Sequence, residues 1–188
     1  MQAFDSLSRD IQQYIYDKGW PSLTHIQNAA IKQVANTDHN LILSAPTASG
    51  KTEAAFIPAL NSVEDWETGL KVLYISPLKA LINDQFHRIS ELSAYLDIPI
   101  TRWHGEVSQA QKKKVVNQPK GVLLITPESI EGMLVNRPGE AQHLFKGVEW
   151  IIIDELHSFL GTERGIHLQS LLQRISRFMQ APRFIAMS

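Results

Sequence analysis

The sequence predicts an α/β fold, a doubly wound and mostly parallel sheet with helices on both faces, making a three-layer sandwich. Two patterns carry this expectation. Short apolar runs recur along the chain: Leu41-Ile42-Leu43, Val72-Leu73-Tyr74-Ile75, Val122-Leu123-Leu124-Ile125, Trp150-Ile151-Ile152-Ile153 and Phe184-Ile185-Ala186-Met187, with Ile98-Pro99-Ile100 as a weaker sixth. Most are continuous rather than alternating, as strands buried on both faces of a parallel sheet require. Helical stretches at 51–62, 78–96, 127–135 and 165–180 lie between them, and strand–helix alternation of this kind builds parallel sheets. The length of 188 residues suits one domain.

Two helices precede the first strand. Leu7, Ile11, Tyr14 and Ile15 share a helical face, with Asp5 or Ser6 as cap, and Lys18-Gly19-Trp20-Pro21-Ser22 ends that helix. A second runs from about Thr24 to Val34, turning Ile26, Ala30, Ile31 and Val34 inward. The segment 136–147, with Asn136-Arg137-Pro138-Gly139, reads as a surface loop.

Composition narrows the chemistry. Hydrophobic residues make up 44% and charged residues 20%, which excludes wholesale disorder. The net charge of −1 excludes a polycationic coat, so any contact with nucleic acid has to be local. With no cysteine, disulfide scaffolds, thiol catalysis and iron–sulfur chemistry drop out. The seven histidines show no HExxH spacing. No signal peptide or membrane-spanning run is evident, and the expectation is a soluble, cytoplasmic protein.

Ligands of such sheets bind at the carboxyl ends of the strands. The first strand runs into Ala45-Pro46-Thr47-Ala48-Ser49-Gly50-Lys51-Thr52, and its Gly-Lys-Thr tail sits between strand and helix as a P-loop requires. Backbone N–H groups of such a loop cradle phosphate oxygens, aided by the helix N-terminus. Lys51 reaches the terminal phosphates and the Thr52 hydroxyl a Mg²⁺ ion. Two positions depart from the usual pattern: Ala45 stands where the simple motif has glycine, and Ala48 resists positive φ. Strand 150–153 ends in Asp154-Glu155-Leu156-His157. A carboxylate at a buried strand end is expected to meet a cation. Asp154 is placed to hold Mg²⁺ through water, and Glu155 to act as base toward an attacking water. A capped helix start is the structural alternative for this pair. The two motifs are expected to converge on adjoining strand tips.

Together these residues resemble the first RecA-like domain of superfamily 2 helicases of the DEAD/DEAH-box type. Gly19-Trp20-Pro21-Ser22-Leu23-Thr24-His25-Ile26-Gln27 is similar to the adenine-recognising Q-motif region, which implies Gln27 as adenine reader. Ile75-Ser76-Pro77-Leu78-Lys79-Ala80-Leu81 looks like motif Ia, and Trp103-His104-Gly105-Glu106 and Ile125-Thr126-Pro127-Glu128-Ser129 look like the segments that follow it. Asp154-Glu155-Leu156-His157, the Ser-Pro-Leu-Lys-Ala-Leu string and Gly161-Thr162-Glu163-Arg164-Gly165 most resemble the Lhr-type branch, near the Ski2-like enzymes.

The resemblance implies one helicase ATP-binding domain over 1–188, with a helical segment at 1–36. It implies ATP and Mg²⁺ as cofactors and single-stranded DNA or RNA as partner. Nucleic-acid contacts are implied at Ser76, Pro77, Lys79, His104, Gly105, Thr126, Pro127 and Glu128. Helix starts after Ser-Pro and Thr-Pro suit backbone phosphates without reading sequence. His157 and Ser188 are the implied coupling residues, with a surface histidine as the alternative for His157. Lys112-Lys113-Lys114 reads as a solvated helix face in preference to a nucleic-acid contact. A second RecA-like domain with an arginine finger is expected in a longer protein, so the isolated chain should turn over little ATP and unwind no duplex. The rivals are another P-loop NTPase, such as a nucleotide kinase or transporter ATPase, and a vestigial P-loop that serves as a nucleic-acid-binding or scaffold module.

Overall fold

The computed structural model describes residues 3–46 and 48–188. Its sheet contains six strands: β1 (Leu41–Leu43), β2 (Gly69–Ile75), β3 (Ile100–Trp103), β4 (Lys120–Ile125), β5 (Trp150–Ile153) and β6 (Arg183–Met187). The spatial order is β1-β6-β5-β2-β4-β3, and each of the five pairings is parallel. This is the α/β, RecA-like arrangement the sequence predicts. The helices are α1 (Arg9–Asp17), α2 (His25–Asn36), α3 (Lys51–Ser62), α4 (Lys79–Tyr95), α5 (Gln109–Asn117), α6 (Pro127–Asn136), α7 (Pro138–Phe145) and α8 (Glu163–Ser176).

Handedness decides which face each helix covers. A parallel crossover is almost always right-handed. The links β1→β2 and β2→β3 both step toward the β3 edge, and their helices α3 and α4 pack on one face through Phe56, Leu60, Ile82 and Ile89. α1 and α2 join that face through Ile11, Tyr14, Ile31 and Val34. The links β3→β4, β4→β5 and β5→β6 step back toward β1, and α5 to α8 accordingly lie on the other face, contributing Val115, Ile130, Leu144, Phe145 and Leu171. Both faces of β2, β4 and β5 are therefore dry over 72–75, 122–125 and 150–153, which is why those runs are continuously apolar.

Four local expectations change. The first helix is capped by Ser8, whose Oγ accepts from the Ile11 N–H at 3.4 Å, while Phe4–Ser6 form a separate 3₁₀ turn. The weak sixth strand begins at Ile100 and runs to Trp103, since Pro99 lies at its start. The segment 136–147 is mostly helix: α7 begins with Pro138 in its first turn and buries Ala141, Leu144 and Phe145. A proline at the start of a helix loses only an N–H that would have no partner there. Within the basic run on α5, Lys112 is buried with its ammonium 5.8 Å from the Trp103 ring centroid, so the run is not wholly a solvated face.

Candidate nucleotide and nucleic-acid site

Parallel strands bring their carboxyl ends to one edge, so the segments after β1, β5, β2, β4 and β3 line up along it. The P-loop follows β1. Gly50, the residue before α3, has φ +83°. A Cβ there would also displace the end of the Gln27 side chain, but it is the left-handed backbone that demands glycine. Ala48 adopts φ +63°, the conformation its side chain disfavours. Lys51 Nζ donates to the Ala45 carbonyl and, at 3.4 Å, to that of Pro46, folding back over the loop. The Ser49 hydroxyl is buried without a partner among the described residues. Thr52 is buried. Thr47 lies outside the described residues.

Gln27 is held by a capping box at the start of α2. Its Oε1 accepts from the Thr24 N–H at 2.9 Å, and its Nε2 donates to the Gly50 carbonyl at 3.4 Å. The residue is only 4% exposed, so the amide sits against the P-loop rather than in open solvent.

At the end of β5, Asp154 is 7% exposed. Its Oδ2 accepts from the Tyr74 hydroxyl and its Oδ1 from the Glu155 N–H at 2.9 Å. Burial raises the Asp154 pKa above the usual carboxylate value, against the lowering effects of the Tyr74 hydrogen bond and the Lys51 charge. Burial, and then the Asp154 charge, also push Tyr74 well up, so it stays a phenol and a donor. Tyr74 stacks on Phe56 of α3, with centroids 5.5 Å apart, linking the P-loop helix to Asp154. Lys51 and Asp154 both follow strand carboxyl ends on one edge of the sheet, and the Lys51 charge is the least of the influences on the Asp154 pKa. The strand tips, however, are not adjoining, because β6 lies between β1 and β5.

That interposed strand leads into Ser188, which joins the two halves. Its N–H donates to the Leu43 carbonyl at 3.0 Å, and its carbonyl accepts from the Ala45 N–H at 3.4 Å. Its Oγ lies 3.3 Å from His157 Nδ1, and His157 Nε2 lies 3.1 Å from Glu155 Oε2. Glu155 itself has φ +50° and ψ +46°. A non-glycine residue costs about 1–2 kcal/mol in that region, and such strain often collects where a side chain must be aimed.

The other half of the edge carries the segments after β2, β4 and β3. Ser76, Pro77, His104, Thr126 and Pro127 are buried. Lys79, Gly105 and Glu128 are exposed. Lys79 pairs with Glu106. Burial lowers the His104 pKa, and its Nε2 lies 3.2 Å from Asn83 Oδ1. Thr126 caps α6 by accepting from the Ser129 N–H at 3.3 Å. Arg164 donates to the Pro77 carbonyl and to Glu128 Oε1, each at 2.8 Å, tying together the segments after β5, β2 and β4.

Sequence reasoning missed the roles of Tyr74 and Arg164. A tyrosine within an otherwise aliphatic run, Val72–Ile75, was the available signal for the first, because its hydroxyl must find a buried partner. Nothing in the string around Arg164 announces its partners.

The donor set suits Mg²⁺. Among the described residues no cluster of three or more His, Asp or Glu side chains could form a metal cage. Mg²⁺ takes one or two protein oxygens plus water and substrate phosphates. The buried Thr52 hydroxyl and Asp154 carboxylate fit that chemistry. The Tyr74 bond gives a test by pH. Tyr74→Phe removes an interaction that lowers the Asp154 pKa, so the carboxylate protonates at higher pH. Mg²⁺-dependent nucleotide binding, titrated from neutral toward acid pH, should therefore fail at a higher pH in the variant than in the wild type. Coincident profiles would show that Asp154 does not serve the metal.

Fold and site together define a RecA-like ATP-binding domain built around a P-loop. The DEAD/DEAH box helicase family model matches residues 24–188, and the chain belongs to that family. It is 34% identical to the Lhr helicase/uracil glycosylase of Escherichia coli over 83% of its own length, and 29% identical to the ATP-dependent helicase Lhr-Core of Methanocaldococcus jannaschii over 94%. It spans 11% and 22% of those two relatives. The solved Mycobacterium smegmatis helicase Lhr, bound to ssDNA and AMP-PNP, superposes with a TM-score of 0.87 at 27% identity, covering 100% of this chain and 25% of that one.

Proposed function

We propose that this domain binds Mg-ATP and a single-stranded DNA or RNA backbone as the first motor domain of an ATP-dependent helicase or translocase. The observation that carries the reading is the shared strand-end edge, where Ser188 bridges P-loop strand and acidic motif. The likeness to a helicase solved with ssDNA and AMP-PNP supports it.

On this reading the loop 45–52 and the α3 N-terminus hold the phosphates. Lys51 leaves the Ala45 and Pro46 carbonyls for the γ-phosphate, and Ser49 gains a partner. Gln27 keeps one amide hydrogen and one lone pair free for adenine. Thr52 and, through water, Asp154 would hold Mg²⁺, which neutralises the developing phosphate charge. Glu155 accepts the proton of the water that attacks the γ-phosphorus, as the bond to ADP breaks. The Glu155–His157–Ser188 chain carries the state of that carboxylate to β6. Backbone groups along the exposed strand-end edge, with Lys79 and Gly105, hold nucleic-acid phosphates without reading sequence.

Hydrolysis needs the transition-state charge supplied by an arginine finger, proposed here to come from a second RecA-like domain of the full-length protein. Titration of a fluorescent ATP analogue should show Mg²⁺-dependent binding by the isolated chain, and steady-state assays little turnover. Robust duplex unwinding by these 188 residues would overturn the need for that second domain. Nucleotide-dependent affinity of the full-length protein for oligothymidylate against oligouridylate decides between DNA and RNA.

A further inference from the structure

Among the described residues, β3 ends the sheet on the side opposite the P-loop strand and pairs with no strand beyond it. The Pro99 carbonyl accepts from the Val122 N–H at 2.8 Å, and Ile100 registers with Val122. In a parallel ladder successive residues turn their backbone groups to opposite sides. Ile100 and Arg102 therefore point their N–H and C=O groups away from β4, where no further strand meets them. A groove of about 490 Å³ runs along this edge, between α4 and α5. Its lining includes Phe86, Arg102, Gln111, Lys114, Gln118 and Lys120, and no acidic residue. In a chain of net charge −1, a groove with three cations and no acid is a local inversion of sign. Arg102 is braced rather than neutralised: Nη1 donates to Asn83 at 2.8 Å and the guanidinium lies 4.9 Å from the Phe86 ring centroid. Lys120 meets Glu67, an exposed residue outside the groove, at 2.7 Å, a contact of little strength in water.

We propose that this groove takes an extended acidic peptide, added as a strand along β3. The edge offers donors and acceptors in alternation, which a second peptide backbone complements in full. A phosphate chain would satisfy the N–H groups but would face the Ile100 and Arg102 carbonyls with like charge, so a nucleic-acid strand fits this edge poorly. Cations lie to both sides of it, Arg102 with Phe86 of α4 and Lys114 on α5, where the alternating side chains of an added strand would project.

The test is fluorescence anisotropy with a short labelled peptide alternating glutamate and valine, titrated with the whole chain. Binding should weaken as salt rises and fall about tenfold in the double variant Lys114→Glu, Lys120→Glu. The melting temperature and ATP-analogue binding report that this variant is folded. The same peptide N-methylated at alternate residues keeps its charge but cannot pair, and should bind at least about tenfold more weakly. Equal binding of the methylated peptide, indifference to the charge reversal, absence of binding, or displacement by oligothymidylate in preference to the peptide would each overturn the proposal.

Discussion

Lys51→Ala is expected to weaken Mg-ATP binding about ten- to a hundredfold, because one ammonium making charge-assisted bonds to phosphate contributes about 1.5–3 kcal/mol. The fold should survive. Lys51 lies at the first turn of α3, half-buried, and what it gives up internally is a pair of loop carbonyls that water can reach. A fluorescent nucleotide titration against wild type reads the effect, with thermal melting as control. Equal affinity would favour a vestigial loop, in which Ala48 at positive φ holds a shape that no longer grips phosphate.

The second large effect falls on the fold. Gly121, near the start of β4, has φ +71°, and a Cβ there would overlap the carbonyl oxygen and carbon of Pro99. That carbonyl is also the acceptor for the Val122 N–H, so it cannot move aside without breaking the β3–β4 ladder. The register of β4 against β2 slips at the same place, between Leu70 and Val72. Gly121→Ala combines left-handed strain with backbone overlap and should cost about 3 kcal/mol or more. Urea unfolding measures it. A loss below about 1 kcal/mol would mean that the bulge relaxes freely.

Tyr74 and Gly121 show why some residues stayed silent until the chain was folded. Both sit inside or beside apolar runs, where composition says only that a strand is buried. What sets them apart is a neighbour about eighty residues away for Tyr74, the carboxylate of Asp154, and one strand across for Gly121, the carbonyl of Pro99. α7 was hidden differently. Pro138-Gly139 has the local chemistry of a turn, and only the apolar bed beneath Ala141, Leu144 and Phe145 selects the helix. Of the two hydroxyl–proline pairs, Thr126 and Pro127 do start α6, whereas α4 begins at Lys79 with no side-chain cap, so Ser76 and Pro77 precede that helix rather than open it.

The sequence by itself determined the strand–helix alternation, the parallel sheet, the phosphate loop and the acidic pair, because each is written in local pattern: apolar periodicity and residue types at short spacing. Tertiary structure alone decided the order of the strands, the insertion of β6 between the two motifs, the phenol that steadies Asp154 and the free edge at β3. Those depend on contacts between residues far apart in the chain, which crossover handedness and core packing bring together and which no window of sequence contains.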